Sequence, residues 1–87
     1  MQEYKPKRGE AHLKASPKRI ALGNWIREQR KAKGLTMRDM AAISGLPHSY
    51  FGKIEQGIRG LDILEFLELC QWLGIDFRSA IKKIEEL

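Results

Sequence analysis

The stretch Gly34–Gly57, GLTMRDMAAISGLPHSYFGKIEQG, leaves this chain few ways to fold. Thr36 carries a side-chain oxygen suited to the open amides of a helix start, and Asp39 stands three residues on, where a capping box places an acid. Met40, Ala41 and Ile43 then supply small or apolar groups at helical spacing, and Gly45 ends the run as a C′ glycine does. After one further residue, Pro47 offers the fixed φ of a first helical position. Phe51 and Ile54, three apart, give the inward stripe of a second short helix, which Gly57 stops. The predicted unit is two helices of about eight or nine residues joined by a tight glycine turn. Gly45 is suited to the left-handed conformation that so abrupt a turn demands and that a Cβ resists. Ala41 marks the expected closest approach of the two helices, where a larger side chain would push the second one off its angle.

An ordinary αα-hairpin also turns on glycine, so the pair of helices does not by itself imply a function. The charge distribution adds what the spacing lacks. The net charge is +5, but residues 1–61 carry thirteen basic against five acidic side chains, a balance of +8, and residues 62–87 carry three against six, a balance of −3. A basic half that contains the two-helix motif, beside an acidic final third, suits one face turned toward phosphates.

Eighty-seven residues make one small domain with room for a modest helical core. One cysteine, Cys70, excludes an internal disulfide, and its neighbours Leu67, Leu69 and Leu73 predict a buried apolar thiol. His12 and His48 form no cluster with metal-ligand spacing, so neither a metal nor a cofactor is implied. No run approaches the ~18 apolar residues of a membrane span, and no h-region follows the charged N-terminus. A soluble, cytoplasmic protein without a membrane partner is the expectation.

Residues 1–15 mix lysine, proline, glycine and glutamate with few large apolar groups, a composition too poor in apolar surface to order itself. Either a basic arm that tracks a DNA backbone or minor groove or a solubilising tail fits Lys5-Pro6-Lys7-Arg8-Gly9. Residues 16–87 are the predicted domain. Ser16-Pro17 reads as N-cap and first position of a helix running to about Lys33, with Leu22 and Ile26 inward and Trp25 beside them. Asp62 and Glu65 form a second capping box before an apolar helix that ends at Leu73-Gly74. Its inward face is read as Ile63, Phe66, Leu67, Cys70 and Leu73, which leaves Leu64, Leu69 and Trp72 as surplus apolar surface. Asp76 caps a last helix holding Phe77, Ala80, Ile81 and Ile84. No strand-like alternation of any length occurs, so the fold class is all-α with five helices.

The order of capping Thr36, small Ala41, turn Gly45, apolar Phe51 and Ile54, then Glu55 before Gln56-Gly57 resembles the Xre, or lambda-repressor-like, helix-turn-helix family over about Leu22 to Phe77. The resemblance implies a five-helix DNA-binding domain whose recognition helix, about 47–56, enters the major groove. It implies that Arg30 pairs with Glu55 to hold that helix against the first one. It implies DNA contacts from Thr36, Met37 and Arg38 at the start of the first motif helix, and from Pro47, His48, Ser49, Tyr50, Gly52 and Lys53 on the second. Gln56 and Arg59 resemble positions that touch phosphate. Two positions depart from the family pattern: Gln29 replaces a usual leucine, and Met37 replaces a glutamine whose amide reaches phosphate. Anchoring at Met37 then rests on backbone amides and the Thr36 hydroxyl. Gly52 costs about 1 kcal/mol of helix propensity, a reason to expect that DNA approaches the backbone there.

The function implied is a sequence-specific, double-stranded-DNA-binding transcription regulator of repressor type, working on the nucleoid as a homodimer. The surplus apolar surface near Trp72 or Trp25 would supply the dimer contact. A DNA-binding antitoxin or adaptor that binds a partner protein through the apolar surface of the fourth helix or through the N-terminal arm shares the same fold. An enzyme is disfavoured, because no nucleophile–base pair, carboxylate dyad or phosphate-cradling glycine loop is present.

Overall fold

A computed structural model describes residues 16–87. The basic arm expected over residues 1–15 lies outside the described residues. Five helices follow in order: α1 (Pro17–Ala32), α2 (Met37–Ser44), α3 (His48–Glu55), α4 (Ile63–Leu73) and α5 (Phe77–Glu85), with no strand among the described residues. α3 packs against α2 and α1, while α4 packs against α2 and α5.

Local chemistry explains the helix starts. The Ser16 hydroxyl oxygen accepts from the Arg19 N–H at 3.1 Å, with Pro17 at the first turn where a missing N–H costs nothing. Thr36 and Asp39 close a reciprocal capping box at 2.8 and 3.0 Å, and Asp62 and Glu65 close another at 2.9 and 2.7 Å. Asp76 accepts from the Ser79 N–H at 3.0 Å. Gly45 stands at φ 77°, the left-handed turn conformation, and a Cβ built there would meet nothing within 4 Å. The demand for glycine at that position is therefore purely conformational.

One detail of the turn differs from the sequence expectation. Pro47 is the N-cap of α3 at ψ 145°, not its first helical residue, and no side chain caps that helix. Pro47 biases the preceding Leu46 away from helical backbone, so the chain stays extended until His48. Ser44 stitches the turn: its hydroxyl donates to the Met40 carbonyl at 2.7 Å and accepts from the Leu46 N–H at 3.1 Å.

Ile26, Met40, Phe51, Ile54, Phe66, Leu69, Cys70, Leu73 and Ala80 form the buried core. The inward stripe of α4 is thus Phe66, Leu69, Cys70 and Leu73. Leu69, assigned above to surplus surface, is only 2% exposed, whereas Ile63, assigned to the core, is 61% exposed. Ile63 belongs to the same angular stripe but sits in the first turn of α4, beyond the edge of the packed helices. Ile43 also lies outside, at 47% exposure, and α2 therefore buries Met40 alone. Neither tryptophan is spare. Trp72 meets Phe51 edge-on with ring centres 5.9 Å apart, and Trp25 lies 6.4 Å from Phe66. The apolar surface left over on α4 is Ile63 together with Leu64, which is 68% exposed.

Candidate nucleic-acid interface

α3 divides sharply into two faces. Phe51, Ile54 and Glu55 are buried, while His48, Ser49, Lys53 and Gln56 are exposed and Gly52 is half-buried between them. Positions 48, 49, 52, 53 and 56 follow the i, i+4, i+8 rows of one helical face, so they form a single outward stripe. Among the described residues, no side chain of that stripe is tied up in a hydrogen bond or ion pair. A Cβ built on Gly52 would meet nothing within 4 Å, so the backbone at this point is open to whatever approaches the helix.

The orientation of α3 is set from behind. Arg30 of α1 donates from Nε to Glu55 Oε2 at 2.7 Å and from Nη2 to Glu55 Oε1 at 3.0 Å. Its Nη1 donates to the Leu35 carbonyl at 2.8 Å, which also ties down the chain entering α2. Both members of the pair are buried, and the hydrogen bonds that Arg30 donates to Glu55 hold its guanidinium above its ordinary pKa against the opposing effect of burial. Arg27, one turn earlier, reaches Glu55 Oε1 at 3.5 Å from a half-exposed position. Two-point contact between a guanidinium and a carboxylate restricts rotation as well as distance. Gly23 completes the junction. A Cβ there would stand 2.4 Å from the Glu55 carbonyl oxygen and 2.7 Å from that of Ile54, so α1 and α3 meet backbone to backbone. Gly23 is thus a close-approach point between α1 and α3, while Ala41 on α2 is half-buried. The sequence clue was available: a mid-helix glycine carries a propensity cost of about 1 kcal/mol and so calls for a structural reason.

A second cluster holds the far end of α3. The Arg59 guanidinium lies 4.5 Å from the Tyr50 ring centre, pairs with Glu65 through Nη2–Oε2 at 2.9 Å, and donates from Nη1 to the Gly60 carbonyl at 2.8 Å. Glu65 also accepts from the Asp62 N–H at 2.9 Å, so one carboxylate serves the α4 cap and the α3–α4 loop together. The Arg59 hydrogen bonds, then that cap bond, keep the Glu65 carboxyl below the ordinary range. Desolvation pushes the Tyr50 phenol up, with Arg59 opposing it. Arg59, expected above as a free phosphate contact, is thus committed within the fold, and Tyr50 is half-buried beside it. Met37 likewise packs, half-buried, against the core at the start of α2, and its side chain offers no donor to an anion. Thr36, Arg38 and Pro47 are exposed, and the Thr36 hydroxyl is engaged with Asp39 in the capping box.

This arrangement of a turn-linked pair with an outward, unencumbered second helix has counterparts among known proteins. A helix-turn-helix family model matches residues 26–79. The chain belongs to the helix-turn-helix family. It is similar to an HTH-type transcriptional regulator, y4dJ of Sinorhizobium fredii, at 29% identity over 68 residues, 78% of this chain and 88% of that one. Its fold is similar to that of the restriction-modification controller protein C.AhdI from Aeromonas hydrophila, with a TM-score of 0.64 and 38% identity over 70% of this chain and 92% of that chain. It is also similar to the clp gene regulator ClgR of C. glutamicum, with a TM-score of 0.72 and 25% identity over 84% of this chain and 94% of that one. In this helix-turn-helix protein α2 and α3 are the motif pair, and α1 braces the second member through Gly23 and Arg30. Among the described residues no group of three or more His, Cys, Asp or Glu side chains could hold a metal ion, and no helix is long and apolar enough to cross a membrane.

Proposed function

We propose that this helix-turn-helix protein is a sequence-specific, double-stranded-DNA-binding transcription regulator of repressor type that lays α3 in the major groove. The observation that carries the reading is the outward stripe of α3, free of intramolecular bonds and braced from behind by the buried Arg30–Glu55 pair. A helix with its side chains is about 10–12 Å across, a match for the roughly 12 Å width of the major groove. His48 and Ser49 in the first turn, and Lys53 one turn on, present donors suited to guanine N7 and O6, and Ser49 also an acceptor. Gly52 lets the backbone come close between them. Thr36, the Met37 backbone N–H and Arg38 meet flanking phosphates at the start of α2, Pro47 adds only a van der Waals contact, and Gln56 and Arg59 meet phosphate past the end of α3, where pairing with Glu65 weakens the Arg59 contribution. The protein acts as a binder rather than an enzyme, needs no cofactor, and works where chromosomal DNA is, in the cytoplasm.

A homodimer completes the reading. Ile63 and Leu64 on the first turn of α4 form the contact in place of the tryptophans, and two-fold symmetry sets two copies of α3 about one DNA turn, roughly 34 Å, apart. Selecting bound duplexes from a random pool tests the whole proposal. The expected product is a two-fold-symmetric site with half-sites about ten base pairs apart. Retention of no duplex at low salt would refute it.

A further inference from the structure

At the C-terminal end of α3 the surface opens into a groove of about 820 Å³, lined by aliphatic Leu22, Ile58 and Leu61 and by the cations of Arg19, Lys53 and Arg59. The three cations come from three separate segments: the first turn of α1, the outer face of α3 and the α3–α4 loop. Arg59 is paired with Glu65, but among the described residues no carboxylate lies within ion-pair distance of Arg19 or Lys53. The one acid in the lining, Asp62, spends a carboxylate oxygen on the Glu65 N–H at 2.7 Å. The place of Arg19 is built into the backbone. A Cβ on Gly60 would stand 3.0 Å from its Nε and Nη2 and 3.1 Å from its Cζ, so the guanidinium fills the space a side chain at position 60 would take. Like charges sharing one groove repel, and an anion entering it relieves that repulsion.

The chemistry of the lining specifies the anion. A guanidinium beside aliphatic walls fits a phosphodiester joined to a sugar ring, whose carbon face rests against Ile58 and Leu61. Lys53 belongs both to this groove and to the outward stripe of α3, so the groove continues that stripe sideways. A duplex holding α3 in its major groove must carry one of its two strands along this border. We propose that Arg19 is a DNA-contacting residue, seating one backbone phosphate of the strand that borders α3. The inference rests on the major-groove placement of α3 proposed above.

A salt titration and a methylphosphonate scan of a selected duplex, with wild type and Arg19→Ala side by side, test it. The Ser16 cap uses the Arg19 backbone N–H, so the variant keeps the start of α1, and its melting curve verifies this. Arg19→Ala should weaken the selected duplex and a scrambled one by the same factor, with a log–log salt slope shallower by about 0.9. Such a change amounts to about eightfold between 1 M and 0.1 M salt. Arg19→Lys should restore the slope. In the scan, one phosphate per half-site should weaken the wild type when neutralised yet leave Arg19→Ala unaffected. An unchanged slope, or neutralisation costs that carry over in full to Arg19→Ala at every phosphate, overturns the inference. The major-groove reading survives that result if His48→Ala still loses base preference. A wild type that selects no duplex overturns both.

Discussion

Two glycines sit inside helices of the motif region, and the same substitution should act on them in opposite directions. At Gly52 an added Cβ meets nothing within 4 Å, and no positive φ opposes it. Gly52→Ala therefore removes the glycine penalty alone, about 0.8–1.0 kcal/mol of stability gained. For a domain of this size that corresponds to a rise in Tm of about 4–8 °C. At Gly23 the identical propensity gain applies, but the Cβ lands 2.4 Å from the Glu55 carbonyl oxygen and 2.7 Å from the Ile54 oxygen, both backbone atoms. Neither can swing aside, so α1 must separate from α3. Overpacking of about 1–3 kcal/mol then exceeds the propensity gain, and Gly23→Ala should melt below wild type. Thermal unfolding followed by helical circular dichroism reads both signs. Binding supplies the second axis: the stabilised Gly52→Ala should lose specific DNA affinity, because its methyl group occupies the close-approach point on the outward stripe. A Gly52→Ala protein no more stable than wild type refutes the open-space reasoning. One that is stabilised and binds its selected site at full strength refutes the close approach of DNA.

Three further outcomes follow from the geometry. Arg30→Met leaves the buried Glu55 carboxylate with only Arg27 at 3.5 Å and should cost about 3 kcal/mol in urea unfolding, while Arg30→Met with Glu55→Leu should recover most of it; a single-variant cost below about 1 kcal/mol would contradict the brace. Glu65 has a depressed carboxyl, so its stabilisation is complete above the ordinary carboxylate range near 4 and is lost as pH falls through the folded value. Arg59→Met should accordingly flatten the decline in unfolding free energy between pH 5 and pH 3, and parallel declines would remove the pair from the account. Leu64→Glu, at a position 68% exposed, should change stability by no more than about 0.5 kcal/mol yet shift sedimentation from dimer to monomer, whereas Trp72→Glu should unfold the domain by breaking its packing on Phe51; a wild type that sediments as a monomer throughout sinks the dimer proposal.

What could be read from the sequence divides by the range of the interaction that decides it. Helix starts at Ser16, Thr36, Asp62 and Asp76 and the turn at Gly45 were legible because caps and left-handed residues are settled within three or four positions. The inward face of α4 was not. Apolar residues at 63, 64, 66, 67, 69, 70, 72 and 73 support two overlapping stripes, and only the position of a neighbour chooses between them. Phe51 takes the edge of Trp72, α4 turns to bury Leu69, and Ile63 is left beyond the contact. Arg59 shows the same limit for charge. Its basic character was plain, but its pairing with Glu65 depends on a loop bending back over Tyr50, and no spacing rule encodes that path.

The two kinds of DNA contact proposed for the motif differ in how much they ask of the fold. Phosphate binding tolerates small shifts, because charge acts over several ångströms and both strands carry it everywhere. Reading a base edge requires donors placed to hydrogen-bond accuracy, and a helix with no side-chain cap of its own has no local means of ensuring that. α3 is instead located by contacts it makes away from its outward stripe: backbone against Gly23, the two-point Arg30–Glu55 pair, and Tyr50 under the Arg59–Glu65 bridge. None of these groups lies on the stripe of His48, Ser49, Gly52 and Lys53. On the proposed major-groove placement of α3, variation on the stripe should change which sequence is read while the brace stays constant, and damage to the brace should remove discrimination between sequences before it removes affinity for DNA.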